Sequence, residues 1–444
     1  MLALLLSLIL ALFSSPLFAS EDAYLFPLDD SPRPQHFAPL TLDPKEIYDR
    51  TEQVLQLFQV PAEKSTASIL AGIEPTASAA FLQSWIRYVD ASQSFPRFFT
   101  VTENSFTGFR DRDSKSIADF QMPLARSTEI PARKSLRSLR IALDPGHIGS
   151  DYWDKATGKY VKDKDGTVVS EGVINLQVCL LLKEELERLG AIVMITHEGL
   201  SPVSEKSPKD LDLNWFGKME LRARSLDSWF LAQLNSTSQS DLEKNFRSNS
   251  NFQSIFSESK RMNYFILRED LSARAEKVQA FDPDLTLIIH SDAQDPVPMD
   301  TLPEITRAYV PGALAETEYA GTRVKAEMAA RLLQADKLQE SLEISRAIVQ
   351  SVSKKLNTRL PTHDMDTTIA LEPGIFARNL VLNHAITKGA TSYIECLMYG
   401  SRKEFDRLKQ KDYQMMIDGK AVFYSQRLQD LAKAIRDAVA NYYQ

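Results

Sequence analysis

Three short polar segments, each at the end of an apolar run, constrain this chain more than any other feature. They are Asp144-Pro145-Gly146-His147, Ser170-Glu171 with Asn175 four residues on, and Ile289-His290-Ser291-Asp292-Ala293. Two imidazoles and one carboxylate are the ligands with which proteins hold a catalytic zinc ion while leaving the fourth position open for water. The chain must then fold so that segments far apart in the sequence meet.

A fourth polar segment ends another apolar run with a carboxylate. It reads Thr391-Ser392-Tyr393-Ile394-Glu395, and Glu395 is a candidate general base. Because open α/β sheets place their ligands outside the carboxyl ends of the strands, His147, His290 and Glu395 are all expected at one sheet edge. Glu171 instead begins a helix, where the exposed backbone N–H groups favour a carboxylate.

The alternation of apolar runs from residue 139 onward predicts an α/β domain with a mostly parallel sheet flanked by helices. We expect this domain to span residues 135–444. The predicted strands are 140–143, 191–196, 284–290, 307–310 and 393–397. The predicted helices are 172–189, 271–281, 343–356 and 421–442.

In this order the segments resemble the zinc-dependent N-acetylmuramoyl-L-alanine amidases, which hydrolyse bacterial peptidoglycan. The resemblance covers about residues 138–442 and rests on the Asp-Pro-Gly-His turn, the Glu-x-x-x-Asn-Leu helix start at Glu171 and the Ile-His-x-Asp-Ala turn at His290. Arg274, on the helix before the His290 strand, also fits the family pattern, as does the late strand that ends in Glu395.

The resemblance implies a ligand set and a reaction. His147, Glu171 and His290 would hold one zinc ion, and Glu395 would be the catalytic acid/base. The expected reaction is hydrolysis of the amide bond between N-acetylmuramic acid and the L-alanine of the stem peptide, with peptidoglycan or muropeptides as substrate.

The chain departs from the family pattern at several positions, which suggests a distant branch. Ile148 stands in place of a second glycine, Gln279 in place of an asparagine, and 397–401 in place of a Gly-Phe-x-Ser-Asn run. Two alternatives therefore stay open. One is a catalytically weak peptidoglycan-binding or regulatory protein of the same fold, and the other is a zinc hydrolase of a different amide or peptide bond.

Three further residues have expected roles near this site. Asp144 is expected to shape the Pro-Gly turn or to orient His147 rather than to bind metal. Arg274 is most simply explained by an ion pair on its helix. His384 has two interpretations: it assists at a substrate carbonyl or carboxylate, or it is a histidine of an exposed loop.

Residues before the α/β domain carry no recognisable chemistry. Residues 1–20 resemble a secretory signal peptide, so we expect export to the periplasm or the exterior, with a short membrane anchor as the alternative. Residues 21–134 are expected to form a linker and a small, mainly helical adaptor region, with helices within 44–59 and 68–90, a hairpin at 98–109 and a charged connector at 110–134.

Charge and cysteine content exclude two classes of protein. A net charge of −7 argues against a nucleic-acid partner, because phosphate binding depends on clustered Lys and Arg. The two cysteines, Cys179 and Cys396, lie within apolar segments and are expected to be buried free thiols rather than a disulfide. No stable membrane span is expected.

Two insertions interrupt the domain, at about 199–262 and 315–339. The first is long enough to be a lid, a binding element or a tether. The second is predicted to be a charged helix, placed where some members of the resembled family carry a helix that blocks the zinc until an activator protein displaces it. In that interpretation Glu316 or Glu318 would occupy the open coordination position of the zinc ion. The simpler interpretation is that this charged helix only faces solvent.

Overall fold

The computed structural model of this chain describes the α/β domain and short pieces of the region before it. The described residues are 86, 88–92, 99–101, 105–108, 120–123, 136–210, 262–263, 265–294, 298–314, 337–364, 368–386 and 389–443. Among the helices in these ranges, none combines the length and the apolar character that crossing a membrane requires.

From residue 140 onward strands and helices mostly alternate, as the apolar pattern predicts, but three antiparallel strand pairs in the described residues interrupt the alternation. The strands are β1 (Phe99–Val101), β2 (Ser105–Gly108), β3 (Phe120–Pro123), β4 (Arg140–Pro145), β5 (Tyr160–Lys162), β6 (Val168–Ser170), β7 (Ile192–Ile195), β8 (Leu285–Asp292), β9 (Arg307–Pro311), β10 (Ile369–Glu372), β11 (Ile375–Arg378), β12 (Ala390–Met398), β13 (Tyr413–Ile417) and β14 (Lys420–Tyr424). The helices are α1 (Asp151–Thr157), α2 (Glu171–Arg188), α3 (Leu271–Phe281), α4 (Lys337–Leu356), α5 (Val381–Ala385), α6 (Arg402–Leu408) and α7 (Gln426–Tyr443).

A seven-stranded sheet forms the centre of the domain, in the order β10-β11-β9-β12-β8-β4-β7. Strands β7, β4, β8 and β12 are parallel to one another, and β9 is antiparallel to β12. The carboxyl ends of β4, β8 and β12 therefore meet at one edge, where the start of β9 also lies. The predicted mostly parallel sheet with flanking helices is confirmed, and the antiparallel pairs β9–β12 and β10–β11 make it a mixed sheet.

Helices cover both faces of this sheet. Helices α2 and α4 pack on one face with α7 against both, while α3 and α5 pack on the other. The first face is filled by the long aliphatic side chains of the strands, among them Leu143, Leu287, Ile289 and Ile394, which are fully buried. Strands that are buried on both faces have continuous apolar sequences, and the sequence predicted these strands for that reason.

The predicted helix over 421–442 is wrong at its start. Residues 413–424 form the hairpin β13–β14, and α7 begins only at Gln426. The turn is Asp418-Gly419, in which both residues have positive φ, as a two-residue hairpin turn requires. The missed signal was this Asp-Gly pair between two apolar runs.

The region before the domain is only partly described. The predicted hairpin at 98–109 is confirmed by the antiparallel pair β1–β2. The connector at 110–134, however, contains a strand, β3, which pairs with β2. Residues 88–89 approach the end of β9, where the N–H groups of Ala313 and Leu314 donate to the carbonyls of Tyr88 and Val89.

Several expectations fall outside the described residues. These are the signal peptide at 1–20, the helix within 44–59, nearly all of the helix within 68–90, most of the first insertion (211–261), and residues 315–336 of the second, including Glu316 and Glu318. The domain boundaries remain predictions. The end of the second insertion, 337–339, is the first turn of α4, which starts six residues before the predicted helix.

Candidate metal centre

Three side chains from separate elements come together at the carboxyl edge of the sheet. Nε2 of His147 lies 3.4 Å from Oε1 of Glu171, and Nδ1 of His290 lies 3.2 Å from the same oxygen. One ligand atom from each residue lies within 4.8 Å of the others, so the group could hold a metal ion. Ligand bonds of about 2.0–2.1 Å in a tetrahedron place neighbouring ligand atoms about 3.3 Å apart, so these two separations fit zinc.

The turn after β4 places His147 by two backbone features. His147 itself has a left-handed backbone conformation, with φ of 61°, which is uncommon for residues other than glycine. Gly146 lies against the His290 ring so closely that a Cβ atom there would overlap the imidazole. The absence of a side chain at Gly146 therefore lets the two histidines approach, with ring centroids 4.8 Å apart.

Helix α2 starts at Glu171 because Ser170 caps it. Oγ of Ser170 accepts from the N–H of Val173 at 3.4 Å, a typical N-cap contact, and donates to Oδ1 of Asp154 at 2.7 Å. Burial raises the pKa of Asp154 to about 6.

Gly172, the second residue of α2, approaches the backbone of Ile148 and Gly149, where a Cβ would overlap main-chain atoms. The helix start is thereby fixed against the His147 turn.

Asn175 ties the three segments together. Its Nδ2 donates to the carbonyl of Gly146 at 3.1 Å, and its Oδ1 accepts from Oγ of Ser291 at 3.0 Å. The N–H of Ser291 faces Oε1 of Glu171 at 3.4 Å. One buried amide on α2 thus links the turn after β4 to the end of β8.

Arg274 holds the same turn from the other face of the sheet. Its Nε donates to Asp270 at 2.8 Å and its Nη1 to the carbonyl of Pro145 at 2.6 Å, while Nη2 donates to the carbonyl of His147 at 3.2 Å. Asp144 lies 3.4 Å from Nη1 and is not one of the three grouped side chains. Arg274 makes the expected ion pair, and it also positions the backbone of His147.

The two imidazoles lie in surroundings that suit metal ligands. Burial, with nearby cationic groups, lowers the pKa of His147 well below its ordinary value, so the ring is neutral at pH 7. A neutral imidazole has the lone pair that a metal requires. The ring of His290 stacks on Tyr393, with centroids 4.4 Å apart and planes 18° from parallel, so its orientation is fixed by packing.

Glu395 lies beside this group on β12. It pairs in register with His290 on the parallel strand β8 and with Arg307 on the antiparallel strand β9. Burial and the nearby carboxylate of Asp292 raise the pKa of Glu395 to about 8. Oε2 of Glu395 is shielded from solvent, and none of the described residues donates a hydrogen bond to it.

Arg307, which pairs with Glu395 across strands β9 and β12, is part of a charged cluster beside it. It is buried and forms ion pairs with Asp292 and with Asp364, the latter at 3.2 Å between Nη1 and Oδ1. The hydroxyl of Tyr309 donates to the other oxygen of Asp364 at 2.7 Å. Sequence reasoning missed this cluster, because nothing in the local pattern around Arg307 or Asp364 marks them as partners.

The departures from the resembled pattern have structural explanations. Ile148 packs in a small core with Trp153 and Phe265. Nε2 of Gln279 donates to the carbonyl of Ala385, joining α3 to α5. In the altered run after Glu395, Tyr399 is buried and Ser401 caps α6 by accepting from the N–H of Glu404 at 3.1 Å. These substitutions serve packing and capping.

His384 lies on α5, the short helix after the β11 strand. Its side chain is outside the described part of the structure, so its role remains a prediction. The two cysteines are buried free thiols, as expected.

Comparisons with known proteins add a structural likeness only. No protein-family model and no curated protein sequence matches this chain. The CwlD amidase of Clostridioides difficile, solved in complex with the GerS lipoprotein, is 17% identical with a TM-score of 0.37, over 69% of this chain and 98% of that one. The N-acetylmuramoyl-L-alanine amidase AmiC2 of Nostoc punctiforme is 10% identical with a TM-score of 0.36, over 68% of this chain and 96% of that one.

The amidase Ami1 of Mycobacterium smegmatis is similar to the same degree. It is 12% identical with a TM-score of 0.38, over 70% of this chain and 99% of that one. Likeness at these identities and TM-scores does not extend to the activity of this chain.

Proposed function

We propose that this protein is a zinc-dependent N-acetylmuramoyl-L-alanine amidase. It would hydrolyse the amide bond between N-acetylmuramic acid and the L-alanine of the peptidoglycan stem peptide. The observation that carries the proposal is the grouping of the His147 and His290 nitrogens around Oε1 of Glu171, next to Glu395, one oxygen of which accepts no hydrogen bond from the described residues. The substrate class comes from the resemblance of the sequence motifs.

His147, Glu171 and His290 would hold the zinc ion. Two neutral nitrogens and one carboxylate oxygen match the ligand set of catalytic zinc, which leaves one position for water or substrate. Zinc held there supplies Lewis-acid activation of a water molecule and of the scissile carbonyl. The contacts of Asn175, Ser170 and Arg274 hold the ligands in place before the ion arrives, as supporting contacts do in metal sites.

Glu395 would act as the general base and then as the general acid. Its Oε2, which accepts no hydrogen bond within the described part of the chain, would take a proton from the attacking water and return it to the leaving amine, the α-amino group of L-alanine. A pKa of about 8 leaves the carboxyl group largely protonated at pH 7 in the protein without metal. A dication beside it favours the carboxylate, so the residue would become a base when the metal binds.

The test is release of stem peptides from purified peptidoglycan sacculi. Zinc-loaded protein is incubated with sacculi, and mass spectrometry is used to find free peptides that begin with L-alanine. We expect release by the wild type and a loss of at least 100-fold in Glu395→Gln. Glu198→Gln, at a half-exposed carboxylate that pairs with Lys183, is the matched control and should keep the wild-type rate.

The same assay separates the alternatives. Release of other fragments would indicate a zinc hydrolase of a different bond. Binding of sacculi without release by any variant would indicate a peptidoglycan-binding protein, and the amidase proposal would be withdrawn. Export to the periplasm or the exterior, and an activator protein acting through residues 315–339, belong to this proposal and remain predictions.

A further inference from the structure

A cleft lies beside the imidazoles of His147 and His290. Tyr393, which stacks on His290, forms part of its floor. Apart from Arg274, the other described lining is aliphatic and comes from the five-residue π-helical turn 266–270, the first turn of α3 and the start of α5. These aliphatic residues are Ile266, Leu267, Leu271, Leu380, Val381 and Leu382.

Two of the elements that line this cleft contact each other. Leu267, on the π-helical turn, packs with Val381 of α5, and Leu271 completes the contact. Leu267 and Val381 are only 8% and 7% exposed. Leu267 and Val381 therefore form one packed aliphatic contact in the lining beside the metal ligands. A π-helical turn is rare in proteins and occurs often at functional sites.

The described lining offers no uncommitted charge. Arg274 is the one cation among these lining residues, and its N–H groups donate to Asp270, to Asp144 and to the carbonyls of Pro145 and His147. Its guanidinium is 1% exposed. A polar group entering the cleft would lose its water without gaining a charged partner from this lining, whereas an aliphatic group would lose nothing.

We infer that the cleft is an aliphatic subsite, in which an aliphatic group that the substrate carries next to the scissile amide packs against Leu267 and Val381. These two residues set the preference for aliphatic over polar groups. The inference rests on the proposed function, because it takes the amide to lie at the metal ligands. Each additional buried methylene contributes about 0.8 kcal/mol, which corresponds to about fourfold in affinity.

The test uses straight-chain aliphatic hydroxamates, which bind zinc without being hydrolysed. Dissociation constants of the acetyl, propionyl, butyryl and pentanoyl compounds are measured by calorimetry with the zinc-loaded full chain. We expect about three- to fourfold tighter binding for each added methylene up to the butyryl compound. A hydroxamate with a terminal hydroxyl of the same length should bind at least fivefold more weakly than its methyl counterpart.

Two near-isosteric variants test the named residues. In Val381→Thr and in Leu267→Asn, hydroxamate affinity should increase by less than about twofold for each added methylene. Leu267→Met keeps an apolar side chain of similar volume and should show the same increase in affinity as the wild type. Ile192→Thr, at an exposed position where β7 begins, is the matched control and should leave the series unchanged. Melting temperatures verify that each variant is folded.

The inference is overturned if the dissociation constants of the wild type do not change with the length of the hydroxamate chain, or if no hydroxamate binds to the zinc-loaded protein. A steep series in Val381→Thr and Leu267→Asn overturns the role of these residues. The outcome is separate from that of the sacculus assay. If hydroxamate affinity increases with chain length but no stem peptide is released, the aliphatic subsite is supported and the amidase proposal is rejected. If stem peptide is released but affinity does not depend on chain length, the amidase proposal is supported and the subsite is rejected.

Discussion

Glu395 lies directly opposite His290 in the register of two neighbouring parallel strands, β12 and β8. Strands in a sheet lie about 4.8 Å apart, and residues paired in a parallel register point to the same face. The candidate base and a candidate metal ligand are therefore held together by backbone hydrogen bonds rather than by loops. A site built on strands keeps its geometry better than one built on loops.

Replacement of Gly146 by alanine is expected to weaken metal binding. The new Cβ would overlap the His290 imidazole, which cannot retreat because it stacks on Tyr393. We expect Gly146→Ala to bind zinc roughly 10- to 100-fold more weakly, in the range found when contacts that support metal ligands are lost. Competition with a chromophoric chelator measures this.

Gly158→Ala is the matched control for that variant. Gly158 has a left-handed backbone, with φ of 73°, in which an alanine would be strained, but a Cβ there meets no described atom within 4 Å. The Gly158→Ala variant should have a lower free energy of unfolding than the wild type and an unchanged affinity for zinc. Equal zinc affinities of Gly146→Ala and wild type would show that the close approach at His290 has no bearing on the metal.

Removal of the Arg274 guanidinium should destabilise the whole domain. Arg274→Met leaves the carboxylates of Asp270 and Asp144 buried without their cation, and such a loss costs about 3–5 kcal/mol. Urea unfolding of the zinc-free protein measures the change. Arg188→Met, at an exposed helical ion pair, should cost less than about 1 kcal/mol. Similar losses from the two variants would contradict the structural role of Arg274.

Glu395 should make the stability of the zinc-free protein depend on pH. Its pKa is about 8 in the folded state and near 4.5 in an unconstrained chain, so the folded state retains the proton between these values. The stabilisation is complete below pH 4.5 and is lost as the pH rises toward 8, by about 1.4 kcal/mol for each pH unit at most.

Glu395→Gln isolates this contribution because it cannot titrate. Unfolding free energies of wild type and variant, measured with a chelator at pH 5, 7 and 9, should diverge in favour of the variant as the pH rises. A constant difference across this range would mean that the carboxyl group is not held protonated in the folded protein.

Zinc should stabilise the folded protein through His290. A ligand present at 100 times its dissociation constant adds about 2.7 kcal/mol, so thermal unfolding should shift upward with zinc. The shift should disappear in His290→Ala and persist in His36→Ala, which removes a histidine from the predicted linker. Persistence of the shift in His290→Ala would place the metal elsewhere.

The sequence predicted the parts of the fold in which local pattern and burial agree. Strand β8 and helix α3 were found because fully buried strands give continuous apolar runs and because the helix carries apolar residues at helical spacing. The edge of the sheet at which the polar segments meet followed from the parallel arrangement. Glu171 was expected at a helix start, where exposed backbone N–H groups favour a carboxylate, and it is the first residue of α2, after the Ser170 cap.

Other parts depend on contacts that a single sequence does not reveal. The pairing of Arg307 with Asp292 and Asp364 joins residues on separate elements, and no spacing rule links them. The cleft is formed by ordinary aliphatic residues such as Leu267 and Val381, which in the sequence look like any core residues. The short strands β10 and β11 were missed, although Pro373-Gly374 between them is a turn signal.

The most direct test is a zinc titration of chelator-treated protein, with stem-peptide release from sacculi measured at each ratio of zinc to protein. If His147, Glu171 and His290 hold one zinc ion that the amide hydrolysis requires, chelated protein will be inactive. Its rate will then rise linearly and level off at one zinc per chain. Release that survives chelation, or that rises without a break at one equivalent, would contradict the account.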